Sequence, residues 1–144
     1  MDPIAKEKLE NLPAWYDQLG SFDEQHILKH LDGKLSPYIR SEKLESINLS
    51  KLLYRNEVSE IDLLHIDTEG YDWEILSQLN LERYSPQFIL FEKRHLSESS
   101  LKLAVEFLIK KYHLFDIGMD MLAVNRNTPE KKMNQVINKL KPFG

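Results

Sequence analysis

Hydrophobic positions along the second half of the chain alternate between two rhythms. In residues 61–66 (IDLLHI) they crowd so closely that a strand built from them is apolar on both faces, the habit of a parallel strand covered on each side by helices. From Trp73 the spacing lengthens, and Trp73, Ile75, Leu76 and Leu79 predict a helix with one buried side. Pro86 punctuates the return, and residues 87–92 (QFILFE) repeat the two-sided apolar run and end in an acid. Ser97 is placed to cap a further helix, on which Leu101, Val105, Leu108 and Tyr112 recur at helical spacing. Residues 113–117 (HLFDI) and 121–125 (MLAVN) then flank Gly118 to Asp120, a gap short enough for an antiparallel hairpin. Parallel strands joined by helices and closed by a hairpin amount to part of a doubly wound α/β sheet.

The upstream part is less regular. Residues up to Pro13 read as a solvated lead-in, followed by Trp15, Tyr16 and Leu19 as anchors. Ser21 and Glu24 stand at capping-box spacing before a helix whose apolar face is Ile27, Leu28 and Leu31. His26 and His30 lie one turn apart on it; without a nearby acidic motif they read as solvated histidines rather than metal ligands. Gly33 and Pro37 mark a loop, residues 43–47 a short extended piece, and NLSKLLYRN a short helix capped by Asn48 or Ser50, with Leu52, Leu53 and Tyr54 turned inward. The expected organisation is a lead-in over 1–20, the folded part over 21–126, and a tail over 127–144 that is either weakly helical or loose.

Composition narrows the partners. A chain of 144 residues with 42% hydrophobic content suits one domain. A formal charge of −4 argues against a protein that grips nucleic-acid backbone or anionic lipid. The absence of cysteine excludes disulfides and thiolate chemistry and fits a reducing compartment. No apolar run approaches the ~20 residues that span a bilayer, so a cytoplasmic protein is expected.

Candidate chemistry gathers at the carboxyl ends of the two parallel strands, where ligands bind in open α/β sheets. Asp67 and Glu69 follow the first strand; Glu92 closes the second, with His95 just beyond. Asp67 and Glu69 have structural alternatives, holding loop amides or favouring a helix start. His95 has the alternative of capping its loop. Oxygen ligands with one imidazole suit magnesium or manganese, but the spacing carries no ligand pattern and no metal is assigned. A metal-dependent hydrolase would need a denser set of His and Asp. Gly70 serves a sharp turn, Asp72 reads as helix surface, Trp73 and His65 as core, and Lys93 with Arg94 as a basic pair.

IDLLHIDTEGYDWEIL followed by SPQFILFEKRHLS resembles the C-terminal half of the FkbM family of S-adenosylmethionine-dependent methyltransferases, and AWYDQLGSFDEQHILKH resembles a segment that precedes it in some members. The likeness covers roughly residues 12–126. It implies a partial Rossmann-like class I methyltransferase sheet in which residues 61–66 are the fourth strand, 87–92 the fifth and the hairpin the sixth and seventh. It also implies O-methylation of a hydroxylated small molecule or sugar, with S-adenosylmethionine as cofactor. Asp67, Glu69 and His95 are then the catalytic candidates, with Asp67 also facing the cofactor and Glu92 and Arg94 facing the substrate. The five glycines include no G-x-G pair, and no long apolar run precedes Ile61, so the chain reads as lacking the glycine-rich cofactor-binding half. The fourth strand would then have an open edge, which the N-terminal segment covers, which pairs with a second copy or a separate N-terminal half, or which leaves the chain poorly stable. The rival reading is a noncatalytic methyltransferase-like remnant, or an interaction module, that pairs through that edge.

Overall fold

The computed structural model describes residues 5, 8–16, 19–21 and 24–139, the side chains of His26 and Lys139 aside. The chain divides into two compact units, Met1–Ser46 and Ile47–Gly144. No helix among the described residues is long and apolar enough to cross a membrane.

The first unit holds helix α1 (Glu24–Leu28) and two 3-10 turns, His30–Gly33 and Ser36–Tyr38. Its small core is Ala5, Tyr16 and Leu35, with Leu9, Leu12, Leu19, Leu31 and Tyr38 packed around them. The lead-in is therefore not simply solvated, because its apolar residues close this cluster. Residues 22–23 lie outside the described residues, and with them the cap expected of Ser21; so do the side chain of His26 and residues 140–144 of the tail. The helix ends at Leu28, which takes His30 off it. Leu31 and Asp32 break the helical path with φ of 52° and 53°, and the His30 ring meets Trp15 edge-on at 5.6 Å. Residues 40–48 are exposed and form no strand.

The second unit opens with α2 (Leu49–Arg55), whose Asn48 cap accepts the Ser50 N–H at 2.8 Å. Leu53 packs on the core, whereas Leu52 and Tyr54 are exposed, so the helix buries a narrower stripe than its sequence suggested. There follow β1 (Leu63–Ile66), α3 (Asp72–Leu76), β2 (Phe88–Glu92), α4 (Glu98–Leu108), β3 (Tyr112–Ile117), β4 (Asp120–Asn125) and α5 (Glu130–Lys139). Ser97 caps α4 by accepting the Ser100 N–H at 3.1 Å. The sheet runs β1-β2-β4-β3: β1 and β2 pair in parallel, and β4 is antiparallel to both β2 and β3. Three strands thus point one way, with a reversed strand between the second and third. This is an α/β unit with a mixed sheet.

Pairing Leu64 with Ile89 and Ile66 with Phe91 puts these residues, with Met121 and Ala123, on one face. Leu76 of α3 and Ala104 and Leu108 of α4 belong to the same core cluster, so both helices cover that face. On the opposite face Leu63 is 56% exposed and His65 is exposed. The expectation that β1 is covered on both sides, with His65 in the core, is therefore corrected: among the described residues β1 is an edge strand, and Leu63 and His65 on its second face are exposed. Tyr112 likewise does not continue α4. It opens β3, fully buried, and its hydroxyl donates to the Pro86 carbonyl at 3.0 Å.

Candidate functional site

Strands β1 and β2 end side by side, and each hands the chain to a short loop. After β1 comes Asp67-Thr68-Glu69-Gly70, where Glu69 and Gly70 both take positive φ, 53° and 107°. Glycine is required at the second position for a further reason. A Cβ at Gly70 would lie 3.2 Å from the His95 carbonyl oxygen, so a side chain there would push the two loops apart.

After β2, the backbone N–H groups of Lys93 and Arg94 both donate to the Met119 carbonyl, at 2.9 and 3.1 Å, which ties this loop to the β3–β4 hairpin. Lys93 also bonds Asp116 through its ammonium at 2.8 Å, and Arg94 lies with Nη1 3.3 Å from Met119 Sδ. The basic pair is thus drawn toward the hairpin; Lys93 is engaged rather than solvated. Arg94, expected to face substrate, is exposed beside that hairpin and outside the cluster described next.

His95 is held where the loops meet. Its Nε2 lies 3.3 Å from Glu69 Oε2 and 3.8 Å from Glu92 Oε1. Donor atoms of these three residues all fall within 4.8 Å of one another, close enough for one divalent ion to reach all three. A carboxylate at Nε2 favours the tautomer with the proton on that nitrogen and fixes the ring's orientation. Glu92 is largely shielded, and its Oε2 is buried with no hydrogen-bond partner. Burial holds its carboxyl above the ordinary carboxylate value; His95 opposes the shift, and Glu69, Asp67 and Asp72 add to it. Asp67, the first candidate from the sequence, is exposed at the end of β1 and stands outside the cluster, acting on Glu92 only through its charge.

Asp72, expected on the helix surface, is 0% exposed. Its Oδ1 accepts the Glu92 N–H at 3.0 Å, and its Oδ2 accepts the Thr68 hydroxyl at 3.0 Å and the Thr68 N–H at 3.4 Å. The pattern contained the signal, because Asp72 stands four positions ahead of the buried Leu76, on the inward stripe of its helix. Trp73 is partly buried and packs edge-on against Phe107, with ring centroids 5.8 Å apart.

No curated protein matches the chain, and neither does any solved structure. The family model described as the methyltransferase FkbM domain matches residues 7–117, a span that takes in both strand-end loops, Asp72 and the Glu69–Glu92–His95 cluster. With that match running over most of its length, the chain belongs to the FkbM methyltransferase family.

Proposed function

We propose that the chain is an S-adenosylmethionine-dependent methyltransferase of the FkbM type that acts on a hydroxyl group of a small molecule or sugar, with His95 as the general base. The observation that carries this reading is the convergence of Glu69 and Glu92 on one imidazole nitrogen at the carboxyl ends of two parallel strands. Transfer to an oxygen requires the acceptor proton to leave as the new bond forms, and an imidazole of fixed orientation can take it. With the proton on Nε2 facing the carboxylates, Nδ1 is the basic nitrogen. Glu92 and Glu69 then balance the positive charge that the ring acquires.

The reversed β4 between β2 and β3 supports placing the sheet with the second half of a Rossmann-like methyltransferase domain. S-adenosylmethionine would supply the methyl group. In the second unit the two described glycines form no glycine-rich cradle for it: Gly70 lies against the loop of His95 and Gly118 in the β3–β4 hairpin, and Asp67 is the candidate contact.

The test is calorimetric titration of S-adenosylmethionine together with methyl transfer to a panel of hydroxylated acceptors, for the wild type and His95→Gln. Turnover should fall about 10²- to 10⁴-fold in the variant with donor affinity unchanged. Equal turnover would remove His95 from the chemistry.

A second reading rests on the outer edge of β1, which pairs with no strand among the described residues. Such an edge is a template for another chain, either a second copy or a separate N-terminal half.

A further inference from the structure

Loops that carry catalytic groups need their ends fixed, and here both loop ends aim hydrogen-bond donors at one buried carboxylate. Thr68 leads directly into the left-handed residue Glu69, and the Glu92 N–H stands where β2 gives way to the loop bearing His95. We propose that Asp72 is the positioning residue of the site: by accepting from Thr68 and Glu92 together, it sets the distance between the Glu69 carboxylate and the His95 ring. The inference rests on the reading of His95 as base and deepens it.

A carboxylate is suited to this place in a way that its isostere is not. Two backbone N–H groups and one hydroxyl converge on Asp72, and only an acceptor-only group satisfies both amides. Asparagine can offer its oxygen to the Glu92 N–H and its amide to the Thr68 hydroxyl, but it then turns a donor toward the Thr68 N–H. Asp72→Asn therefore keeps the β2 tether and loosens the β1 tether. Thr68→Val removes the hydroxyl contact alone and keeps the shape of the side chain.

Burying a carboxylate beside Glu92 is costly, because it adds to the charge that already disfavours an ionised Glu92. An acid whose only task was to fill this part of the core could be replaced by an apolar side chain at lower cost. What such a side chain could not do is hold the amides of two loops in register. The distance from Asp72 to the imidazole is bridged by backbone on both sides: Thr68 to Glu69 on one, Glu92 through Lys93 and Arg94 to His95 on the other. The close approach of the two loops at Gly70, where even a Cβ would crowd the His95 carbonyl, closes the circuit.

The test is the imidazole nitrogen spectrum of His95, assigned by its loss in His95→Gln and recorded at pH 8, where an ordinary histidine is neutral. Wild type should show predominantly the tautomer protonated on Nε2. In Asp72→Asn and in Thr68→Val the ratio of the two tautomers should fall roughly fivefold, as expected when a charge-assisted contact is loosened. Thermal melts on the same samples establish that both variants are folded, and Thr68→Val suffices should Asp72→Asn not fold. A merely structural acid would lower the melting temperature and leave the tautomer ratio as it was. An unchanged ratio in a folded variant, or an even mixture in the wild type, overturns the proposal. Full methyl transfer by His95→Gln would instead overturn the underlying reading of the base, so the two failures are distinguishable.

Discussion

Glu92 shows how one side chain can serve a site at the expense of the fold. Its carboxyl is held above its ordinary value by burial, so between that ordinary value and the raised one the folded chain binds more protons than the unfolded chain. Stability therefore falls as pH rises through this window and stays lower at neutral pH. Glu92→Gln should melt roughly 2–5 °C above wild type at pH 8, and the gain should shrink as the pH is lowered through the ordinary carboxylate range. A variant less stable than wild type at pH 8 would show that the His95 contact outweighs the burial. Asp67 makes the contrast at the same scale. It stands where sequence position alone would put a catalytic acid, yet it is exposed and outside the cluster that forms.

Among the elements, β1 and β2 carry the site and the β3–β4 hairpin braces the loop after β2, and Tyr112 is the peg that fastens β2 to the hairpin at the opposite end. Its hydroxyl reaches the Pro86 carbonyl ahead of β2, and the Asn125 amide approaches the same oxygen at 3.4 Å. Burial is the main cause pushing the Tyr112 hydroxyl up to about 12. The folded chain thus holds this proton where the unfolded chain has released it, and stability is lost as pH rises from about 10 toward 12. Tyr112→Phe should cost about 1–2 kcal/mol at pH 8 and should flatten that alkaline decline, as read from denaturant midpoints across the range. A decline as steep as wild type's would place the alkaline sensitivity elsewhere. Local elements were the most legible part of the chain. The caps at Asn48 and Ser97 and the tight hairpin depend on neighbours within a few residues, and each is found as its spacing predicts. The position of Tyr112 also fits the 3.6-residue period of the helix before it, and only the pairing with Asn125 decides for a strand.

At the scale of the whole molecule, the edge of β1 sets the expectation. The Phe88 N–H bonds the Asp62 carbonyl, so the parallel ladder turns the backbone of Asp62, Leu64 and Ile66 toward β2 and that of Leu63 and His65 outward. Light scattering across a concentration series should show a mass that doubles as concentration rises, and Leu63→Pro should abolish the doubling, because proline blocks an outward N–H while an edge position tolerates it. A monomeric wild type throughout that series would exclude a second copy from this edge.

What the sequence determined by itself was the order of strands and helices, the parallel pair followed by a hairpin, and the grouping of acids and a histidine at two strand ends. These follow from side-chain periodicity, turn residues and caps, all of which act over a few positions. Only the tertiary structure decided that β1 is covered on one face, that Asp72 is buried, and that Glu69 meets His95 while Asp67 does not. Those outcomes depend on residues some 20 to 26 positions apart being brought together, as in the Asp72–Glu92 and Glu69–His95 contacts. Which carboxylate reaches the imidazole is then set by the left-handed turn at Glu69 and Gly70 and by the close packing of Gly70 on His95.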